Sequence, residues 1–338
     1  MGMPGGKPDD FELTAATACA YLREAGRIGS AAACRASDLG GGVSCAVVLV
    51  EGSMGRWVLK QALPRLRVAA PWLADARRSG IEARCLDWLS RLLPPGHLPD
   101  LLFEDDAHHL LAVSAAPAGT PTLKEVLLSG RVPHEALAEA GTLLGRYQAG
   151  SQTVEVARVF DDLEPFRQLR ISAYYETAAA VHEDLSPAMR AIAASAQQLR
   201  VCLVHGDYSP KNMLMLSHGL WLLDFEVAHF GCRAFDPAFF LNHLAIKCVH
   251  LPAIAPELRQ GAADFWAAYQ AASGWADAQA LEQEVLRHLG CLLLARVDGK
   301  SPVEYLVDPA KREAVRRLGR GVLQGKWSNL PELFAAAG

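Results

Sequence analysis

Apolar residues Phe11, Leu13, Ala16, Ala20 and Leu22 fall roughly on one side of a helical wheel, and Gly26 supplies a stop; residues 11–26 are expected to form a first helix. The period then shortens. Residues 43–50 form a β-rich run, Glu51-Gly52-Ser53-Met54-Gly55 has turn chemistry, and residues 56–61 alternate again, which predicts a hairpin. A helix is expected over 72–93, closed by Pro94-Pro95-Gly96. Two short strands, 101–103 and 109–114, bracket the acidic turn Glu104-Asp105-Asp106, and Ala115-Ala116-Pro117-Ala118-Gly119 reads as a hinge. Beyond Thr122 the texture is helical, at 123–128, 133–148, 166–181, 187–199, 237–248, 256–269, 278–297 and 309–323. One β island, 201–204 and 220–223, interrupts it. The pattern predicts an α+β chain in two lobes, a β-rich one over 1–118 and a helical one over 119–338, with a cleft between them for a ligand. Residues 1–10 read as a frayed tail.

Composition narrows the partners. At 338 residues, 51% hydrophobic and 21% charged, the chain has material for a large core and global disorder is excluded. A net charge of −4 offers no basic field for nucleic acid or an anionic membrane, and no run of apolar residues is long enough to span a bilayer. The start, MGMPGGKPDD, lacks the apolar stretch of a signal peptide. The eight cysteines are scattered, without a CxxC pair, and are expected to be reduced, buried small hydrophobes in a cytoplasmic protein.

The densest chemical signal is Val204-His205-Gly206-Asp207-Tyr208-Ser209-Pro210-Lys211-Asn212, followed by Leu222-Leu223-Asp224-Phe225-Glu226. It puts three carboxylates and one amide on two loops at the ends of short strands. Mg²⁺ takes oxygen ligands and is commonly held by one or two carboxylates plus substrate phosphates. Asn212 and Asp224 can supply such a pair, with Glu226 auxiliary, while Asp207 stays available to orient an attacking hydroxyl. An Asp followed five positions later by Asn, then a further metal-binding Asp, is the layout of the protein-kinase active site.

On these residues the chain resembles the aminoglycoside phosphotransferase and choline kinase-like superfamily, small-molecule relatives of protein kinases that carry HGDxxxxN and then D-x-D or D-x-E. The resemblance runs from Leu39 to about Leu306. It implies a protein-kinase-like two-lobed fold, a nucleotide (ATP or GTP) with Mg²⁺ as cofactors, Asp207 as the catalytic residue, and Asn212, Asp224 and Glu226 as metal ligands. It also implies that His205 and Asp236 support the loop; Asp236, ahead of Pro237, additionally reads as a helix N-cap. Lys211 is expected to be solvated.

The first lobe offers its own check. The contiguous Gly40-Gly41-Gly42 opens the hairpin, so phosphate contacts are expected from Gly41, Gly42 and Ser44 rather than from a spaced GxGxxG. Lys60 follows on the next strand. At about 100° per residue, Glu82 projects inside an apolar arc made by Ile81, Cys85, Leu86, Trp88, Leu89, Leu92 and Leu93. A half-buried carboxylate needs a partner, and Lys60 is the expected one. Ala115, at the hinge, is a further nucleotide-contact candidate.

The acceptor is expected to be a small hydroxyl compound: a sugar, an amino alcohol or an aminoglycoside-like molecule. Lys60-Gln61-Ala62-Leu63-Pro64 and the D-x-E at Asp224 look like methylthioribose kinases, whereas Asn212 does not. Residues 161–184 mix acids with Arg167 and Arg170. Arg296, after the apolar run 291–295, is a candidate for holding an anionic or hydroxylated acceptor. The expected assembly is a monomer or homodimer. A non-catalytic nucleotide binder is the competing class, but degenerate loops are its mark and every polar group is present here. A protein kinase is disfavoured because Asp236 follows Asp224 by twelve positions, too few for a long activation segment.

Overall fold

The structure is a computed structural model that describes residues 11–40, 44–67 and 72–338. The chain divides into two compact units, Met1–Trp88 with Leu98–Gly119, and Leu89–His97 with Thr120–Gly338. Residues 89–97, read from sequence with the first lobe, thus group with the second.

In the first unit, helix α1 (Ala15–Glu24) begins where Thr14 and Thr17 cap one another, later than the apolar periodicity at Phe11 suggested. Five antiparallel strands follow: β1 (Cys34–Asp38), β2 (Cys45–Gly52), β3 (Gly55–Ala62), β4 (Leu101–Asp105) and β5 (Leu110–Ser114), in the order β1-β2-β3-β5-β4. Strand β1 is short and mostly exposed, so no apolar alternation announced it. The period-2 pattern decides what each face does. Val48, Val50 and Leu59 point into a core with Leu13, Tyr21, Leu22 and Ile28. Lys60, paired with Val47 in register, takes the opposite face. Helix α2 (Arg78–Leu89) is shorter than the 72–93 expectation.

One sequence reading fails here. Cys19 of α1 and Cys34 of β1 form a disulfide, with Cα atoms 5.9 Å apart. The expectation of eight reduced thiols holds for the other six, all buried. The paired residues flank the core on neighbouring elements, a proximity that a fifteen-residue separation does not reveal.

The second unit is largely helical: α3 (Leu123–Leu128), α4 (His134–Gly150), α5 (Val154–Val159), α6 (Glu164–Phe166), a π-helical stretch (Arg167–Glu176), α7 (Thr177–Val181), α8 (Ser186–Gln198), α9 (Phe235–His250), α10 (Ala255–Ser273), α11 (Ala278–Asp298), α12 (Pro309–Leu323) and α13 (Leu330–Ala336). Gly141 lets α4 and α10 approach closely, since a Cβ there would lie 2.2 Å from the Phe265 carbonyl oxygen. The β island differs from the sequence reading. Strand β6 (Cys202–Val204) pairs with β9 (His229–Gly231), and β7 (Met213–Leu216) pairs with β8 (Gly219–Leu222). The two apolar runs flanking the motif are therefore not partners of each other; their partners, β9 and β7, lie outside the runs read from sequence. No single helix among the described residues is long and apolar enough to cross a membrane.

Candidate active site

Strand β6 delivers the chain at Val204 into the loop 205–209, and a short 3₁₀ turn (Pro210–Asn212) leads into β7. Gly206 has φ +78°, and a Cβ there would lie 2.8 Å from the Val227 carbonyl oxygen, so the turn needs glycine. Asp236 pins the loop from α9. Its buried carboxylate accepts the backbone N–H of His205 (2.7 Å), the N–H of Gly206 (2.9 Å) and the Tyr147 hydroxyl (2.7 Å). Asp236 is not the N-cap that its Asp-Pro context suggested: the cap position is Ala234, and Asp236 lies inside the first turn. Tyr208 anchors the loop on the other side by donating to the Ala140 carbonyl at 2.6 Å.

His205 joins the two motif segments. Its Nδ1 accepts the Asp207 N–H at 3.1 Å, while Nε2 donates to the Leu223 carbonyl at 3.0 Å. Burial holds its pKa below the ordinary value, against the pull of Asp236, Asp207 and Asp224, which keeps the ring neutral in that tautomer. Asn212 makes a second bridge. Its Nδ2 donates to the Asp207 carbonyl (2.9 Å) and its own carbonyl accepts the Leu223 N–H (2.9 Å). Asp224, the next residue, takes a left-handed backbone (φ +71°), a conformation uncommon outside glycine and a mark of a constrained site.

Asp207 is buried between two cations. Lys211 Nζ lies 2.8 Å and Arg170 Nη2 3.2 Å from its Oδ2. Burial alone would raise the pKa of Asp207, but Lys211 and Arg170 outweigh it and hold the carboxyl below the usual range. Lys211 is thus ion-paired rather than simply solvated, although about half of its side chain (47%) stays exposed.

Arg170 was the residue the sequence hid, standing there as one of two bases offsetting an acidic segment. The π-helical stretch turns it inward, where it also donates to the Gly206 and Leu169 carbonyls. A basic residue between Leu169 and Ile171, both buried, was the available signal. The charges of Asp207, Glu226 and Asp224 all favour its charged form, against the opposing effect of burial.

Glu226 is buried. Among the described residues, no three His, Cys, Asp or Glu side chains converge as a metal-ligating group. The oxygen donors Asn212 and Asp224 fit a hard cation that completes its shell with phosphate and water, the habit of Mg²⁺ rather than of zinc.

In the first unit, Lys60 Nζ lies 2.7 and 2.6 Å from the two Glu82 carboxylate oxygens, so the pairing expected from the helical projection is present. Ser44 is engaged through its backbone: its carbonyl accepts from Leu63 N–H and from the fully buried Arg78, a second residue sequence reasoning passed over. The amide of Ala115 already donates to the Arg56 carbonyl at 3.1 Å, so it is not available as a donor to a nucleotide. Gly41 and Gly42 lie outside the described residues.

Arg296, at the end of α11, is buried and spends Nη1 on the Tyr174 hydroxyl (3.0 Å), the Ser301 carbonyl (2.6 Å) and the Ser301 hydroxyl (3.0 Å).

The plant methylthioribose kinases 1 and 2 of Oryza sativa subsp. japonica are 27% and 26% identical over 269 and 239 residues. Those matches span 69% and 62% of this chain and 62% and 56% of the two kinases, less than two thirds of either. Similar solved structures include an ethanolamine kinase from Plasmodium vivax, with TM-score 0.59, 10% identity and coverage of 95% of this chain and 94% of that one. A choline/ethanolamine kinase family protein from Mesorhizobium loti gives 0.54, 16%, 96% and 99%. A macrolide 2′-phosphotransferase from Brachybacterium faecium gives 0.52, 18%, 88% and 97%. These likenesses establish the protein-kinase-like fold. Residues 35–281 match the model of the phosphotransferase enzyme family, and the chain belongs to that family.

Proposed function

We propose that this chain transfers the γ-phosphoryl group of ATP, or of GTP, to a hydroxyl of a small molecule with the help of Mg²⁺. The observation that carries the reading is Asp207, held ionised by Lys211 and Arg170 on a loop whose amide, Asn212, bonds back to the Asp207 carbonyl and whose His205 and Asn212 are hydrogen-bonded to Leu223, the residue before Asp224. Lys60, braced by Glu82, is assigned to the α/β phosphates. Asn212 and Asp224 would hold Mg²⁺, which supplies charge neutralisation on the phosphates. An aspartate with a depressed pKa is a weak base but a good hydrogen-bond acceptor. Its role is to orient the acceptor hydroxyl and receive the proton late, as suits a loose phosphoryl-transfer transition state. Lys211, half-exposed beside it, is placed to neutralise charge on the moving phosphoryl group. His205, Asp236 and Tyr208 keep the loop in shape and touch no reacting atom.

Asp207→Ala should lower kcat by about a thousandfold while nucleotide binding, read by titration calorimetry, stays close to wild type. Near-normal turnover in that variant would remove the assignment. A second reading, phosphorylation of methylthioribose, is favoured by the identity to the two rice kinases. Methylthioribose is therefore one of the first acceptors to assay.

A further inference from the structure

Beyond the Asp207 loop, one face of α9 carries Phe239, His243 and Lys247 at successive i, i+4 positions. The Phe239 ring lies 5.5 Å from the Arg170 guanidinium and 5.8 Å from the Tyr174 ring, and 5.6 Å from His243. Arg296 bonds Tyr174 and sits 5.7 Å over its ring. Lys247 Nζ lies 5.2 Å over the ring of Tyr305 and 3.5 Å from its hydroxyl. The line runs unbroken from Asp207 through Arg170, Phe239 and Tyr174 to Arg296, with Lys247 two helical turns further along α9.

The charge along this line is unbalanced. Asp207 is taken by Arg170 and Lys211, and Glu304 by Lys124. Lys247 has 0% exposure and Arg296 9%, yet among the described residues neither has a carboxylate within ion-pair distance. Arg296 Nε is buried with no hydrogen-bond partner. Two buried cations without counterions are costly, and a purely structural position would be better filled by an apolar side chain. Burial, with Lys124 and Arg296 nearby, pushes the Lys247 ammonium down to about 7.

We propose that Lys247 and Arg296 form a buried anion-binding position, and that the phosphoryl acceptor of this enzyme therefore carries a carboxylate or phosphate group in addition to the hydroxyl presented to Asp207. The proposal rests on the phosphotransferase reading for the word acceptor, but the anion position is defined without it. It sets this chain against polycationic or trimethylammonium acceptors, which these cations would repel, and against a neutral sugar, which would leave them unpaired. An anion arriving at the site supplies the missing counter-charge and draws Lys247 fully into its protonated form.

The test measures thermal stabilisation of the full chain by gluconate, glucose 6-phosphate, glucose and glucosamine, with and without nucleotide and Mg²⁺, in wild type, Lys247→Met and the surface control Lys326→Met. Gluconate or glucose 6-phosphate should raise Tm in wild type and in Lys326→Met, and the effect should vanish in Lys247→Met; which of the two acts separates carboxylate from phosphate. Calorimetry near pH 7 in buffers of different ionisation enthalpy should register proton uptake on anion binding. Equal stabilisation by glucose or glucosamine, an anion response that survives Lys247→Met, or no response to either anion overturns the proposal. Phosphoryl transfer to the same four compounds separates the two readings. Anion binding lost in Lys247→Met without any transfer supports the site and counts against the kinase reading; transfer confined to neutral or amino compounds keeps the kinase and removes the anion site.

Discussion

Two lysines with little exposure, one in each unit, are treated in opposite ways. Lys60 of the first unit meets both oxygens of Glu82, so its charge is balanced before any ligand arrives. Lys247 of the second unit meets a tyrosine ring and hydroxyl and, among the described residues, no carboxylate. A paired buried lysine can be a fixed tool, held in one geometry to grip phosphate. An unpaired one is an open demand for negative charge, and it depresses stability until that charge is supplied.

The largest expected effect comes from breaking the balanced pair. Glu82→Gln removes the carboxylate that faces Lys60 and should cost about 3 kcal/mol of stability, read by urea unfolding, together with nucleotide affinity. A Lys60→Met, Glu82→Leu double variant should recover most of the stability and none of the affinity. If the double variant is as unstable as the single, the cost lies in packing and not in charge.

The unbalanced lysine should answer with the opposite sign. Lys247→Met is expected to raise stability by roughly 2 kcal/mol at pH 6. A pKa of about 7 in the folded chain, against roughly 10.4 unfolded, means that the unfolded state binds more protons between those values. Wild-type stability therefore gains with rising pH across that window, and the advantage of the variant should shrink from pH 7 toward pH 10. The charged and titratable groups facing Lys247 are Lys124, Arg296, Glu304, Tyr305, His243 and Cys248, so the same pH series on Lys326→Met sets the baseline. A destabilised Lys247→Met would mean that the ammonium is structural.

A smaller effect should separate the two cations on Asp207. Lys211→Met removes one of them and leaves Arg170, so the acid limb of the pH–kcat profile should move upward while the fold is kept. An unmoved limb would show that Arg170 alone sets the ionisation of Asp207.

A separate test, read as a pH slope, uses buried histidines away from the reacting groups. Burial depresses His288 to about 3 and His229 to about 4. Unfolded histidine titrates near 6.5, so unfolding takes up about two protons as pH falls from 6.5 to 4. Stability should drop across that window by up to about 1.4 kcal/mol per proton per pH unit. His288→Gln should flatten the dependence, and an unchanged slope would contradict a neutral His288.

How much of this was legible in sequence follows from which interactions are local. The Asp207–Asn212 spacing and the apolar arc around Glu82 are set within a few residues, and both were readable. The helices that position the loop were readable for the same reason, with ends a few residues off where a cap such as Thr14 overrides the apolar period. Arg170 was not readable, because its approach to Asp207 depends on a π-helical register that changes which side of the helix it faces. The Cys19–Cys34 bond and the β6–β9 pairing join segments whose spacing carries no signal. Lys247 lay in a helix that was readable, yet its lack of a counterion among the described residues exists only in three dimensions.

The central claim is phosphoryl transfer governed by Asp207. The direct measurement incubates wild type and Asp207→Ala with ATP or GTP, Mg²⁺ and a pooled panel of sugars, sugar acids, sugar phosphates, amino alcohols, methylthioribose and aminoglycosides, and searches by mass spectrometry for any compound gaining one phosphoryl group. The account predicts a phosphorylated product in wild type, strongest among the anionic hydroxyl compounds and absent with Asp207→Ala. Nucleotide binding without any product, or the same product from both proteins, would contradict it.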